Sequence, residues 1–598
     1  MRNSCILVLL VAFSIASTAR GETNGFTPPP IEIPEGYTLE IAAAPPLVKY
    51  PMLACFDDRG RLFIAESDGQ NPTSKEEILQ NPSRFIRLLE DTDDDGTFDK
   101  STIFADKMTM PEGGVWLDGA LYVISPPYLW RLEDTDDDGV ADKREKLLGS
   151  MEFDGRANQH GPFLGPNGRL YFSGGIFGYD LVGTDGSQVE KSSTGSVFSC
   201  RPDGTDVRVD GQGPLNPVEV AFSPEGEMFS TAAIFDSTDG RHDALIHWLY
   251  GGVTTKIYGG PLLLKETGHR LPALSRWGQV APAGLMRYRG NAFGTDASNQ
   301  LFACQFNSHR VVRTTIQRHG ATYRSEDEDF LVSPSIDFHP TEVIEDADGS
   351  LLVFDTGSWV SGGGCPTSKI SKPDIFGAIY RIRKKGAPRV DDPRGLELAK
   401  SLTTPEQWVA YLDDSRPAVR DRAIATLVRQ GAAAVPALQS TLTGSDSAQR
   451  LRNAVWALSR IATPEAVAAL RGALTIEDRS VRQAAVRSVG ELADEKSVET
   501  LTQFVTDDEL PVRRASATAL GKIGRSEAIP ALVRSLETAE DPFLQHALTY
   551  ALIEIDNFEA TQPHLASANT KVQQAVLIAL DQMNSSRLSH DQVTKLLD

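Results

Sequence analysis

The sequence predicts a multidomain protein: an all-β six-bladed β-propeller followed by an all-α solenoid. Three observations carry that prediction. A strand–turn–strand unit recurs six times before residue 385, and its turn glycines Gly60, Gly119, Gly168 and Gly226 lie roughly 50–60 residues apart, the period of a propeller blade. After about residue 405 the apolar spacing changes from every second residue to helical spacing, and a different unit recurs roughly every 30 residues. The chain is 598 residues long, too long for one core. Its composition also shifts, from a part rich in Gly and Pro to a last third rich in Ala, Leu, Arg and Glu.

Taken in order, the chain opens with Arg2, an apolar run from Cys5 to Ala16, and then Ser17-Thr18-Ala19. This reads as a signal peptide over residues 1–21, too short to cross a bilayer comfortably. The expectation is export to the periplasm or beyond, with no stable membrane insertion. Residues 22–34 are Pro-rich and extended, and Tyr37 to Ala42 is a first strand. The six units follow: MLACFDDRGRLFIAES (52–67), GGVWLDGALYVIS (113–125), HGPFLGPNGRLYFSGG (160–175), VEVAFSPEGEMFSTAA (218–233), the looser AGLMRYRGNAFGTDASNQLFACQF (283–306), and TEVIEDADGSLLVFDTG (341–357). Each has a glycine turn between two strands. A propeller must close its ring, and the Tyr37–Ala42 strand is placed to complete the last blade beside Ala378–Ile382. The propeller therefore spans 30–385.

A linker over 386–404 leads to a helical region over 405–598. There VRDRAIATL (419–427), LRNAVWALS (451–459), VRQAAVRSV (481–489), VRRASATAL (512–520), FLQHALTYA (543–551) and VQQAVLIAL (572–580) repeat. No single unit can bury its apolar face alone, so the units must stack. The pattern resembles short HEAT-like repeats.

The formal net charge of −22 excludes nucleic acid and anionic membrane surfaces as partners, since both are bound by cationic protein surfaces. Beyond the leader, Cys55, Cys200, Cys304 and Cys365 fall in different blades. They read as buried thiols rather than bridges. CxxC and CxxCH motifs are absent from the sequence.

Two loops share the pattern DxDxDGxxD. Asp91, Asp93, Asp95 and Asp99 form one, and Asp134, Asp136, Asp138 and Asp142 the other, with Glu145 at the twelfth position of the second. Alternate carboxylates converge when a backbone coils around a cation, and the glycine permits the turn. Both loops join outer strands and are candidate structural calcium sites.

In a propeller the residues just before each innermost strand converge on one face of the central channel. Here these are Pro111–Gly114, Asn158 to His160, Asn216 to Glu219, Pro282–Gly284 and His339 to Glu342. A neutral histidine there can take a proton from an alcohol, and a carboxylate can orient it. His160 is the candidate base, with Asn216 and Glu219 as its catalytic neighbours. Gln159, Arg310, His339 and Glu342 are the candidate cofactor-binding groups.

HGPFLGPNGRLYFSGG resembles the HxGGxLxFGPDGxLY stretch of soluble quinoprotein glucose/sorbosone dehydrogenases. PLNPVEVAFSPEG (214–226) resembles their next block, with Asn216 matching and Leu215 standing where that family has an arginine. The resemblance implies a six-bladed propeller, pyrroloquinoline quinone (PQQ), calcium, and His160 as the base of sugar oxidation. The whole mature chain is more similar to large exported propellers of planctomycete-type bacteria described as membrane-bound dehydrogenases. Those share the acidic loops, FNxHRVVR, FHPTEV, CPTSxxxKPDxxGAIYRIR and trailing HEAT repeats.

Two functions follow as expectations. The first is an exported quinoprotein-like dehydrogenase that oxidises a sugar or other alcohol, passes electrons to a separate acceptor, and uses the solenoid to hold a protein partner. The second is a non-catalytic propeller–solenoid protein that binds carbohydrate or a protein partner.

Overall fold

The computed structural model describes residues 26–594, apart from 72–73, 154–158, 237–239, 255–259, 269, 295–296, 298–299, 358 and 362–367. The leader expected over 1–21 lies outside the described residues, as do Asn158 and Cys365.

Six antiparallel sheets form the propeller. Blade 1 consists of Pro51–Phe56, Leu62–Glu66, Arg84–Glu90 and Lys100–Met108. Blade 2 consists of Gly114–Leu117, Ala120–Ser125, Tyr128–Glu133 and Lys143–Leu148. Blade 3 uses Gln159–Leu164, Leu170–Gly174, Ser196–Cys200 and Arg208–Gln212, and Gly252–Val253 adds to its edge in parallel. Blade 4 uses Asn216–Phe222, Met228–Asp236, Gly240–Trp248 and Ser275–Trp277. Blade 5 uses Pro282–Arg287, Gln300–Gln305, Arg310–His319 and Thr322–Val332. Blade 6 takes Pro340–Glu345, Leu351–Asp355 and Ala378–Lys384 from the end of the domain, and its outer strand Tyr37–Ala43 from the beginning. That strand pairs Leu39 with Ile382 and Ile41 with Tyr380, which closes the ring as the sequence predicts.

Second strands are sandwiched between neighbouring blades, and LFIAE, ALYVIS, LYFSG and LLVFD are buried along their whole length. Outer strands such as KREKLL carry exposed charges at the sheet edge, which discourages edge-to-edge pairing. Aromatic rings fill the wedges between blades; Phe302 and Phe330 meet edge to face at 4.9 Å, within the cluster that also buries Tyr37 and Tyr288. The described cysteines Cys55, Cys200 and Cys304 are free thiols.

The solenoid runs in two helical layers. The layer made by Pro417–Gln430, Ala448–Ile461, Arg479–Glu491, Leu510–Ile523 and Pro542–Ile555 lies against the propeller. Trp456 donates its indole N–H to the Pro224 carbonyl at 2.9 Å, and Arg460 donates to the Pro166 carbonyl at 2.8 Å. Arg289 reaches Asp421 at 2.7 Å, and Asp541 accepts from the Ala321 amide at 2.8 Å. All four propeller groups belong to turns joining first to second or third to fourth strands, so they share one face of the disc. The starts of the innermost strands lie on the opposite face.

At the centre of this seam sits Glu227, with 0% exposure. It accepts from His247 Nε2 at 3.0 Å and is gripped by Gln483, Arg487 and Arg514. Because that carboxylate accepts from Nε2–H, Nδ1 must accept from the Thr322 hydroxyl, at 2.9 Å. Burial alone would push the Glu227 carboxyl up; Arg487 and Arg514 outweigh it and hold the carboxyl well below its ordinary range. Among the described residues no helix is long and apolar enough to cross a membrane.

Candidate functional site

Five of the six innermost strands are broken by a bulge near their start; that of blade 2, Gly114–Leu117, runs in continuous register. The register shifts between Pro51 and Leu53, His160 and Phe163, Pro217 and Val220, Pro282 and Leu285, and Pro340 and Glu342. Proline has no N–H to continue the ladder, and a bulge re-aims the side chains beside it. The result is a group of polar side chains turned in at the channel.

His160 pairs with Ser173 just before its bulge and is only 3% exposed. Neither ring nitrogen has a hydrogen-bond partner among the described residues. Its nearest charged neighbour is Glu112, whose Oε2 lies 3.8 Å from Nδ1. Burial lowers the His160 pKa to about 4, so the ring is neutral near pH 7. Glu112, Glu219 and Glu342 are all buried. Burial, opposed by Arg84, pushes Glu112 up to about 8. Burial raises Glu219 to about 7 against the pull of the Leu285 amide, which it accepts at 2.7 Å. Burial and the facing Glu219 carboxyl raise Glu342 well above its ordinary value.

The neighbouring wall is histidine-rich. His339 Nδ1 lies 2.6 Å from the Gly357 carbonyl, and His309 Nδ1 lies 2.6 Å from the Phe338 carbonyl. Carbonyls only accept, so Nδ1 donates in both rings and Nε2 is left as the acceptor nitrogen of the neutral form. The two rings meet edge to face at 5.0 Å. Asp355 fixes this corner by accepting from the His339 and Gly357 amides, both at 2.9 Å. Asn216 is buried beside Glu219 on blade 4. Gln159 donates to the Glu152 carbonyl, and its Oε1 has no partner among the described residues.

The structure thus brings His160, Asn216, Glu219, His339, Glu342 and Gln159 to the starts of the innermost strands. Arg310 is on the same face but already engaged: it donates to Gln305 Oε1 at 2.8 Å and to Asp329 at 3.0 Å. Glu112 was not singled out from sequence. Glu219 and Glu342 share a Pro-x-Glu spacing (Pro217-Val218-Glu219, Pro340-Thr341-Glu342), whereas Glu112 follows Pro111 directly, and this one-residue offset hides it.

The acidic loops stand apart, on the rim at the solenoid side. Carboxylate oxygens of Asp91, Asp93 and Asp95 lie within 4.8 Å of one another, as do those of Asp134, Asp136 and Asp138. Asp91 and Asp134 also accept from the Gly96 and Gly139 amides, at 2.8 and 3.0 Å. Repulsion from Asp138, then Asp142, raises the Asp136 pKa. Asp99 and Asp142 are occupied by the Thr92 and Thr135 hydroxyls, and Glu145 is outside both oxygen clusters.

Fold and site together define a six-bladed propeller with a polar channel mouth, backed by a HEAT-repeat solenoid. The chain belongs to the DUF7133 family, a domain of unknown function, whose model matches residues 29–247 and 267–386; HEAT repeats match 405–480 and 473–553. Among solved structures, the PQQ domain of pyranose dehydrogenase from Coprinopsis cinerea is 11% identical, over 59% of this chain and 97% of that one, with a TM-score of 0.39. The PQQ-bound aldose sugar dehydrogenase from Streptomyces coelicolor is 13% identical, over 59% of this chain and 100% of that one, with a TM-score of 0.38. The propeller fold therefore resembles PQQ-dependent sugar dehydrogenases at low identity, and likeness at that level concerns the fold alone. No protein of curated function matches the chain.

Proposed function

We propose that the protein binds a sugar or other polyol at the channel mouth and that His160 takes a proton from one of its hydroxyls, the proton-transfer half of an alcohol oxidation. The observation that carries this reading is the polarity of the unsatisfied groups. Gln159 Oε1 and Glu219 Oε1 are buried acceptors with no partner among the described residues, and neutral His160 has an acceptor nitrogen in the same condition. A ligand that satisfies acceptors must donate, and hydroxyl groups do so without bringing charge. Among the described residues Gln305 Nε2 and the Thr356 hydroxyl are orphan donors, suited to a hydroxyl oxygen.

PQQ fits the described residues poorly. Its three carboxylates and quinone oxygens are acceptors and would face an acceptor-lined wall. The nearby cations are already committed: Arg310 to Asp329, Lys372 to Asp337 and Arg84 to the Thr109 carbonyl. Oxidation would therefore require an added two-electron acceptor, such as the dye of the assay, to take the hydride from the carbinol carbon while His160 takes the hydroxyl proton. A protein partner on the solenoid, which HEAT repeats often hold, would have to reach the outer helices, because the inner layer is against the propeller.

Titration calorimetry with aldoses and polyols, followed by dye reduction, tests the reading. Binding is expected for at least one member of the panel, and His160→Ala should lower turnover by about 10²–10⁴-fold without changing the melting temperature. If no polyol binds, or if His160→Ala is fully active, the assignment is wrong.

Calcium is proposed for the acidic loops, with Asp91, Asp93 and Asp95 as ligands in one and Asp134, Asp136 and Asp138 in the other. A ligand present at a hundredfold excess over its Kd stabilises by about 2.7 kcal/mol. Chelation should accordingly lower the melting temperature, and Asp93→Ala with Asp136→Ala should abolish most of that response. An unchanged melting curve in chelator would leave both loops as solvated acidic turns.

A further inference from the structure

A hollow of about 80 Å³ lies in the seam between propeller and solenoid, beside the Glu227 cluster. That is space for several waters or one small polyatomic ion. Arg208 and Asp210 line it from the outer strand of blade 3, Arg208–Gln212, where alternate residues share a face. Arg487 and Glu491 line it from the helix Arg479–Glu491, and Arg514 and Lys522 from the helix Leu510–Ile523; each pair is spaced by whole multiples of four residues, which keeps it on one helix face. The hollow is not loose packing. The two helices touch beside it, where a Cβ on Gly490 would lie 2.6 Å from the Ala519 Cβ. Across the seam a Cβ on Gly226 would meet the Trp456 ring at 3.0 Å.

The polar lining is incompletely paired. Arg208 Nε, Arg487 Nε and Arg514 Nε are buried donors without a hydrogen-bond partner among the described residues, and Asp210 Oδ2 is a buried acceptor in the same condition. Asp210 and Arg514 are only 4% and 3% exposed, so bulk solvent does not serve them, and a buried polar group left unpaired is costly. Cations also outnumber carboxylates. Glu491 is shared by Arg208 and Lys522, at 2.7 and 2.8 Å, and Glu227 by Arg487 and Arg514. Asp210 Oδ1 lies 3.4 Å from Arg208 Nε, an ion-pair contact rather than a hydrogen bond. Four cations thus meet three carboxylates. Glu554, which accepts from the Tyr250 hydroxyl, is pushed towards its neutral form by burial. Burial and the like charge of Arg208 lower Lys522; burial and the like charge of Arg487 lower Arg514 against the pull of Glu227.

Donors and an acceptor around one hollow restrict its occupant. Water satisfies the hydrogen bonds but leaves the charge as it is. Sulfate and chloride only accept, and a metal ion would face guanidinium groups. An oxyanion that keeps one hydrogen does both: its oxygens accept from guanidinium N–H groups, whose planar fork suits oxyanions, and its O–H donates to Asp210. We propose that the seam hollow binds one small hydrogen-bearing oxyanion, of the hydrogen phosphate or bicarbonate kind, between Arg208 and Asp210 of the propeller and Arg487 and Arg514 of the solenoid. Because the ion touches both domains, its binding stabilises their docked arrangement. The assignment does not depend on the polyol reading, since the hollow lies on the face of the disc opposite the mouth.

Titration calorimetry of the full chain, in phosphate- and carbonate-free buffer near neutral pH and at constant ionic strength, compares inorganic phosphate, bicarbonate and sulfate. Millimolar concentrations keep the general stabilising effect of excluded salts out of the comparison. One equivalent of phosphate or of bicarbonate should bind and raise the melting temperature, and the tighter of the two identifies the natural fit. Sulfate has the shape of phosphate but brings no hydrogen to Asp210, and should bind at least about tenfold more weakly, as analogues that leave a buried polar group unpaired do. Asp210→Asn replaces the acceptor with an amide that can donate, and should bring sulfate level with phosphate. Binding of neither hydrogen-bearing anion would leave water as the sole occupant and overturn the proposal. So would sulfate binding the wild type as tightly as phosphate, or an Asp210→Asn variant that still rejects sulfate. Should that variant not fold, the ranking of the three anions on the wild type decides the matter alone.

Discussion

Glu227→Gln should destabilise the protein by about 3–5 kcal/mol, the usual cost of removing one partner from a buried ion cluster. The substitution leaves Arg514, 3% exposed, and the partly buried Arg487 facing His247 with no counter-charge. The loss should fall on the seam rather than on either domain. Calorimetry of the wild type should show propeller and solenoid melting together, and of the variant a solenoid transition that separates to lower temperature. The same residue sets an acid limit. An unfolded glutamate titrates near about 4.3, whereas in the folded protein Arg487 and Arg514 hold Glu227 well below that against the effect of burial. A depressed carboxyl contributes its full stability above the unfolded pKa and loses it as pH falls through the folded one. The Glu227 contribution should therefore be flat from pH 7 to 5 and fall below about 4, beneath an earlier loss that begins near about pH 6.5 because burial lowers His247 and His546 at the same seam; Glu227→Gln should remove part of the lower fall. A variant with one unchanged transition would show that the apolar contacts of the seam, not the ion cluster, hold the domains together.

Gly284→Ala should cost about 1–3 kcal/mol, the range for overpacking a well-filled interior. The new methyl would sit 2.6 Å from Glu342 Oε1 and 2.7 Å from Glu342 Cα. The second contact is with backbone, so a rotamer change cannot relieve it. Gly278 supplies the control: a Cβ there would meet nothing within 4 Å, so Gly278→Ala should be neutral or stabilising by up to about 1 kcal/mol. Urea denaturation of the two variants checks the pair. Equal stability of both would mean that blades 5 and 6 are less tightly packed at the axis than the structure indicates.

Much of this architecture is legible in the sequence because its causes are local. Gly60, Gly168 and Gly226 announce turns, and the short apolar runs in LFIAES or LYFSGG announce strands buried between blades. The closing role of Tyr37–Ala42 follows from the need to remove a free edge. The two acidic loops are also local, since alternate aspartates and a glycine fix their shape wherever they occur. His160 was found the same way, by asking which residues precede innermost strands.

The sequence by itself determined the two domains, the blade count, the ring closure and the face on which His160 lies, because the repeat pattern carries them and a ring with one strand missing has a single place for the early strand to pair. Tertiary structure alone decided the rest. Glu112 joins Glu219 and Glu342 only because three separate blades converge on one axis, and its one-residue offset from their spacing conceals it. Arg310 looked available in sequence, but folding places it against Asp329. The solenoid as a whole is expected from sequence to hold a partner, yet Trp456, Arg460, Arg487 and Arg514 turn its inner layer onto the propeller. Those outcomes depend on long-range geometry, where burial removes water and every charge must find its partner across the fold.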